Sequence, residues 1–198
     1  MTGRTHDLAA FTALVTVFLY VPDLPTMTLS TVITALGANF IGGLFPDIDQ
    51  PTSDLWDNFR LGPFVAKIIC PTLGGHRHIS HSFFGLILIG WISSSLLNLL
   101  LPYVLLDIDA EIVWYAFMIG VVSHILTDMP TKAGVPLLWP LDWRFGIPPL
   151  KSLRMESGKF LEKWVVFPGL LFLTGYLLYT HQEKVLHFIQ SYVKMDYY

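Results

Sequence analysis

The sequence predicts an all-α, multi-pass membrane bundle of about five helices joined by irregular cytoplasmic loops. Three observations lead there. Hydrophobic residues make up 53% of the 198 positions and charged residues only 14%, against about a quarter charged in a soluble domain. The apolar residues fall in blocks long enough for membrane helices, and the cationic residues crowd to one side of those blocks. The chain is read as one domain, 1–198, ending in a peripheral C-terminal tail at 181–198.

The first block, Leu8–Val21, follows a single arginine and runs into Val21-Pro22-Asp23. No small-residue cleavage pattern closes it, so it is expected to be retained as a helix. The second, Leu29–Phe45, carries Gly37, Ala38, Gly42 and Gly43. The Ala38 and Gly42 pair has the small-xxx-small spacing that lets membrane helices approach closely. Phe83–Leu106 easily meets the about 20 apolar residues a crossing needs. Leu8–Val21 and Ile112–Leu126 are short for one, and Leu29–Phe45 and Trp164–Tyr179 are roughly long enough. Between the fourth and fifth blocks, Pro136, Pro140, Pro148 and Pro149 oppose any continuous helix.

Five crossings place Arg4, Arg60, Lys67, Arg77, Lys132, Arg144, Lys151, Arg154, Lys159 and Lys163 on one side. Only Lys184 and Lys194 fall on the other. The positive-inside rule makes the first side cytoplasmic, with the N-terminus inside and the tail outside. A net charge of −3, unevenly spread, gives no reason to expect a nucleic-acid partner; membrane lipid is the expected one.

On that topology the imidazoles and carboxylates gather. His6 begins the first helix, Asp47 and Asp49 end the second, and His76, His78 and His81 precede the third. His124 and Asp128 end the fourth, and Glu162 begins the fifth. All lie at one membrane face. His124 and Asp128 are four apart, which puts them on one side of a helix. A histidine in an apolar run is expensive unless paired or functional. Asp47 and Asp49 sit between Pro46 and Pro51, where an extended Asp-x-Asp would send its carboxylates to opposite sides. The pair then serves different ions, or one carboxylate binds and the other supports. A solvated acidic turn, a helix-end histidine cap and an interfacial basic patch are the competing readings of these pieces. His181 and His187 are read as ordinary exposed residues of the tail.

Cys70 is the only cysteine, so a thiolate-rich zinc site is excluded. Imidazole with carboxylate suits Zn²⁺ first, with Mn²⁺ and Fe²⁺ also possible and room for more than one ion. Such a centre activates water and stabilises charge on a phosphoryl or carbonyl oxygen. Arg77 beside the histidines is placed to hold a substrate phosphate.

His6, Phe45-Pro46-Asp47-Ile48-Asp49, His76-Arg77-x-x-Ser80-His81-Ser82 and His124-x-x-x-Asp128 resemble the YdjM-like family. Its members are described as inner-membrane metal-dependent hydrolases, and the founding group is linked to LexA regulation. Leu138-Trp139-Pro140 and Ser157-Gly158-x-x-x-Glu162 are similar too, whereas His78 departs from the pattern and ranks below His76 and His81 as a ligand. More distantly, the order of ligands is similar to zinc-dependent phospholipase C and single-strand nucleases.

The resulting expectation is a membrane-bound metal-dependent hydrolase acting on a phosphoester, a lipid headgroup included. His6, Asp47, Asp49, His76, His81, His124 and Asp128 would hold metal. Asp49 or Glu162 would serve as base, and Arg77 would hold the anion. The competing expectations are a non-enzymatic protein that binds, senses or transports metal, and a structural protein that uses the basic loop Thr127–Lys163 for partner binding.

Overall fold

Thr2, Thr28, Ser82 and Asp109 stand where four long helices begin, in extended backbone that leaves the first turn's amides to be capped. The computed structural model describes residues 1–22, 25–51, 53, 56, 62, 64, 66–67, 79–141 and 143–195. Helix α1 runs Gly3–Tyr20 and α2 Leu29–Leu44. A 3-10 turn follows at Phe45–Asp49, started by Pro46, and another at Ile79–His81 leads into α3, Phe83–Leu100. Helix α4 spans Ala110–Asp128. A π turn at Glu162–Val166 opens α5, Phe167–Thr180, and α6 covers Gln182–Met195.

The caps are of the ordinary kind, a side-chain oxygen accepting an orphan amide. Thr28 accepts from Thr31, Ser82 from Gly85, and Asp109 from both Glu111 and Ile112. The third apolar block stops at Leu100 rather than Leu106 because Pro102 turns the chain into a 3-10 turn at Leu101–Tyr103. The fourth is longer than its apolar core suggests: Asp109 caps it early, and it continues through Asp128 to the stop at Pro130. The tail is helical and docks back on the bundle, with Lys184 donating to the carbonyls of Leu19 and Val21 and Phe188 against Phe18.

Four segments are long and apolar enough to cross a membrane: 29–49, 83–103, 110–128 and 162–180. Helix α1, expected as a fifth crossing, is not among them, because Arg4, His6 and Asp7 dilute its first two turns. It nevertheless reaches from one end of the bundle to the other. Its first residues bond Glu162 at the start of α5, and Leu19 packs with Leu177 and Val185 at the far end. Eighteen helical residues cover about 27 Å, close to the thickness of a hydrocarbon layer.

Helices α2 and α4 form the centre and α3 and α5 the periphery. The α4 span is 44% buried within the chain, the α3 and α5 spans 11% each. Ile87, Trp91, Leu99, Phe172 and Tyr179 point outward, as lipid-facing side chains do and as a water-soluble surface rarely tolerates in quantity. Buried polar bonds tie the helices together. Asn39 donates to the Ala116 carbonyl across α2 and α4, and the Thr12 and Thr174 hydroxyls pair at 2.7 Å across α1 and α5.

Among the described residues no strand forms. The proline-rich segment 129–161 is irregular, pinned by isolated bridges between Thr131 and Met155 and between Val135 and Phe145. Inside it the Arg154 guanidinium donates to the carbonyls of Gly146, Pro148 and Pro149. That cation is spent on holding the loop's shape.

The closest helix contact is between α2 and α4. A Cβ on Gly42 would lie 2.1 Å from the Phe117 carbonyl oxygen, and one on Gly120 would lie 2.3 Å from that of Asn39. Gly37, by contrast, has nothing within 4 Å. Gly120→Val should therefore destabilise by at least the about 1–3 kcal/mol typical of overpacking. Gly37→Val should cost no more than a helix-propensity change, and thermal unfolding in detergent checks both.

Candidate metal centre

One terminus of each of α1 to α4 converges with the others, and each delivers at least one candidate ligand. The first two turns of α1 bring His6, the 3-10 turn after α2 brings Asp47, the turn before α3 brings His81, and the last turns of α4 bring His124 and Asp128. His6, His81, His124 and Asp128 are fully buried. His81, His124 and Asp128 form one group of mutually close donor atoms, and Asp47 stands beside it. The Nε2 atoms of His81 and His124 are 3.3 Å apart, and Asp47 Oδ1 lies 3.7 and 3.6 Å from them. Asp128 Oδ2 lies 3.7 and 3.8 Å from the same two nitrogens.

The edges of the His81, His124 and Asp128 group are close to those around a tetrahedral ion. Ligand atoms about 2.0–2.2 Å from a central zinc stand about 3.3–3.6 Å apart. Burying so many polar atoms together is costly unless each finds a partner. Asp47 Oδ1 and His6 Nε2 are both buried with no hydrogen-bond partner among the described residues, as expected of atoms that a cation satisfies. His6 forms a second, overlapping group with Asp47 and His124. Its Nε2 is 3.5 Å from Asp128 Oδ1, and its ring stacks on that of His124 at 3.7 Å. The Met1 amino group also reaches Asp128 Oδ1, a cation already drawn to that carboxylate.

Each imidazole is oriented by its other nitrogen. His124 Nδ1 donates to the Gly43 carbonyl at 2.7 Å, which leaves Nε2 as a lone-pair donor. His6 Nδ1 is 3.0 Å from the Thr127 hydroxyl, and His81 Nδ1 is 2.8 Å from that of Ser80. Burial opposes charge on His81, but the carboxylates of Asp128 and Asp49 outweigh it and raise its pKa above the ordinary histidine value. A cation among these carboxylates would take over that role.

Two expected residues have other places. Asp49 is not a member of either ligand group: it accepts from the Ser80 hydroxyl and stands 3.7 Å behind His81 Nδ1. The 3-10 turn, rather than an extended strand, sends Asp47 to the centre and Asp49 to its supporting layer. Glu162 is not poised as a base. One of its oxygens accepts from the Thr2 amide and the hydroxyls of Thr2 and Thr5, the other from the Gly158 amide. It is a strut joining the start of α5 to the start of α1. His76, His78 and Arg77 lie outside the described residues. His181 and His187 belong to the opposite end, where His181 meets Tyr20.

Sequence reasoning missed Thr127, the Gly43 carbonyl and the orienting role of Ser80. Thr127 had one signal, its place beside Asp128 on the ligand helix. A carbonyl leaves no signal in sequence.

The chain matches the family described as YdjM inner membrane protein over residues 1–185. It is 35% identical over 129 residues to the inner membrane protein YdjM of Escherichia coli, covering 62% of this chain and 56% of that relative. The protein of the same name from Shigella flexneri gives the same figures. The chain thus matches little more than half the length of these two relatives. It is also 28% identical over 179 residues to YvsG of Bacillus subtilis, covering 90% of this chain and 95% of that one. No solved structure matches. The chain belongs to the YdjM inner membrane protein family, and its four membrane-length helices agree with a multi-pass place in the inner membrane.

Glu162→Ala strips the buried Thr5 hydroxyl of that acceptor, at about 1–3 kcal/mol, and turns the half-buried donors of Thr2 and Gly158 to water. A clear fall in thermal stability in detergent is the expected outcome, with less loss for Glu162→Gln. Unchanged stability for both would leave the strut without support.

Proposed function

We propose that this chain is a membrane-embedded, metal-dependent hydrolase acting on a phosphoester, a lipid headgroup included. The observation that carries the reading is the group of His81, His124 and Asp128 donor atoms, whose edges lie between 3.3 and 3.8 Å, with Asp47 Oδ1 at 3.7 and 3.6 Å from the two imidazoles. Two nitrogen and two oxygen donors without thiolate favour Zn²⁺, with Mn²⁺ and Fe²⁺ as the next candidates. The overlap of the His6 group with this set makes room for a second ion.

A bound divalent ion supplies a lowered water pKa and a counter-charge for the phosphoryl oxygens. The chain's own residues do the rest. Gly43, Thr127 and Ser80 hold the three imidazoles in the orientation that presents Nε2. Asp49 fixes the Ser80 hydroxyl and so keeps His81 from turning away. Asp47, the one ligand with partial exposure, at 15%, borders the open side where a reacting group arrives.

The concentration of the ligands at one end of the bundle favours a facial site over a transport path, which would place ionisable groups near the midplane. The clustered cations favour a cytoplasmic position for that end. A reporter active only outside the membrane should work when fused after the tail and fail when inserted in 129–161.

Metal analysis of the purified chain should find bound Zn²⁺, Mn²⁺ or Fe²⁺, lost on His124→Ala and on Asp128→Ala. Hydrolysis of a chromogenic phosphoester should depend on that metal and vanish in both variants. Ser80→Ala, which loosens an orienting bond, should cost about 10–100-fold in metal affinity or rate. Stoichiometric metal with no turnover across phosphoester and lipid substrates would favour a binding or sensing protein, and absence of metal would end the proposal.

A further inference from the structure

We propose that Arg4 and Lys163 form an anion clamp that holds the substrate's phosphate over the metal centre. The inference rests on the metal-centre reading above. Both residues line one open cavity of about 540 Å³, together with Asp47, Gln50, Ser53 and Phe167. Asp47 is the only member of the ligand set on that wall; His81, His124 and Asp128 have no exposed side-chain surface. The cavity is therefore the approach to the centre, and its volume falls in the about 300–1,000 Å³ range of small-molecule sites.

Neither cation has a carboxylate partner among the described residues, which sets them apart from others at the same end of the bundle. Lys132 pairs with Glu156 at 2.6 Å, and Arg154 is consumed by three loop carbonyls. Arg4 and Lys163 form no ion pair with a described residue. Two cations without carboxylate partners on one cavity wall attract anions, and a guanidinium with an ammonium suits the oxygens of a phosphate.

The Glu162 strut explains how residues 159 apart in sequence come to share a wall. Thr2 and Thr5 flank Arg4, Glu162 precedes Lys163, and the hydrogen bonds from Thr2 and Thr5 to Glu162 fix the two backbones together. The π turn at Glu162–Val166 lets consecutive side chains take opposite tasks: Glu162 is 1% exposed, while Lys163 is exposed. Irregular turns of this kind recur at functional sites.

Charge also sets a condition. Asp47 at the cavity floor repels an anion, and a divalent ion bound there reverses that repulsion. Phosphate should therefore bind the metal-loaded chain and not the metal-free one.

The test uses the full chain in nanodiscs, with and without Zn²⁺, titrated calorimetrically with inorganic phosphate. Arg4→Met and Lys163→Met should each weaken phosphate binding about 10–100-fold, the loss of one charged hydrogen bond of about 1.5–3 kcal/mol, with metal content unchanged. Arg144→Met with Lys151→Met, which removes two charges away from the cavity, should leave it unaltered. Competition by phosphatidic acid in the nanodisc would assign the anion to a lipid headgroup. Phosphate binding without such competition would assign it to a soluble phosphoester. Metal-loaded protein that ignores phosphate, or binds it equally in the Arg4 and Lys163 variants, overturns the clamp alone. Protein that takes up no metal overturns the clamp and the hydrolase reading together.

Discussion

Burying carboxylates among imidazoles at the end of a membrane bundle is the constraint that organises this structure. Asp128 is wholly buried on an otherwise apolar helix, and a charge in that setting must find compensation or force the fold to change. Compensation comes from neighbouring helix ends: the Met1 amino group and His6 at the start of α1, His81 from the turn before α3, and His124 one turn back on α4 itself. Few helix arrangements bring those groups within 4 Å of one carboxylate. The demand for partners thus fixes which ends lie together.

That convergence requires α2 and α4 to approach almost backbone to backbone. Gly42, Gly43 and Gly120 permit it, and Gly43 does so twice, since its missing side chain leaves room for Ala10 while its carbonyl orients His124. The packing surface and the ligand-orienting surface are the same few atoms. Interior apolar contacts of Phe117, Val121 and Ile125 continue the seam below the centre.

The sequence was informative where a local pattern had a physical meaning. Blocks of apolar residues announced helices, and His124-x-x-x-Asp128 announced a shared helical face. The clustering of His6, Asp47, His81 and Asp128 at one end followed from counting crossings, even though α1 is less apolar than a spanning helix. Illegible were the features set by backbone direction. Asp47 and Asp49 look equivalent as letters, and only the 3-10 turn separates ligand from support. Glu162 resembled a base because it is acidic and near the others, yet its oxygens are consumed by Thr2, Thr5 and Gly158. The stacking of His6 on His124 depends on a helix packing no spacing rule could specify.

The bond between Thr2 and Glu162 joins groups 160 residues apart, and it has a consequence for biogenesis. The N-terminal helix leaves the ribosome first, but its anchoring partner arrives with the last membrane span. Until then the start of α1 is held only by α2 and α4, with His6 on the Thr127 hydroxyl and against the His124 ring. Closure of the bundle is thereby deferred to the last span, which ties down the first turn of the helix made earliest.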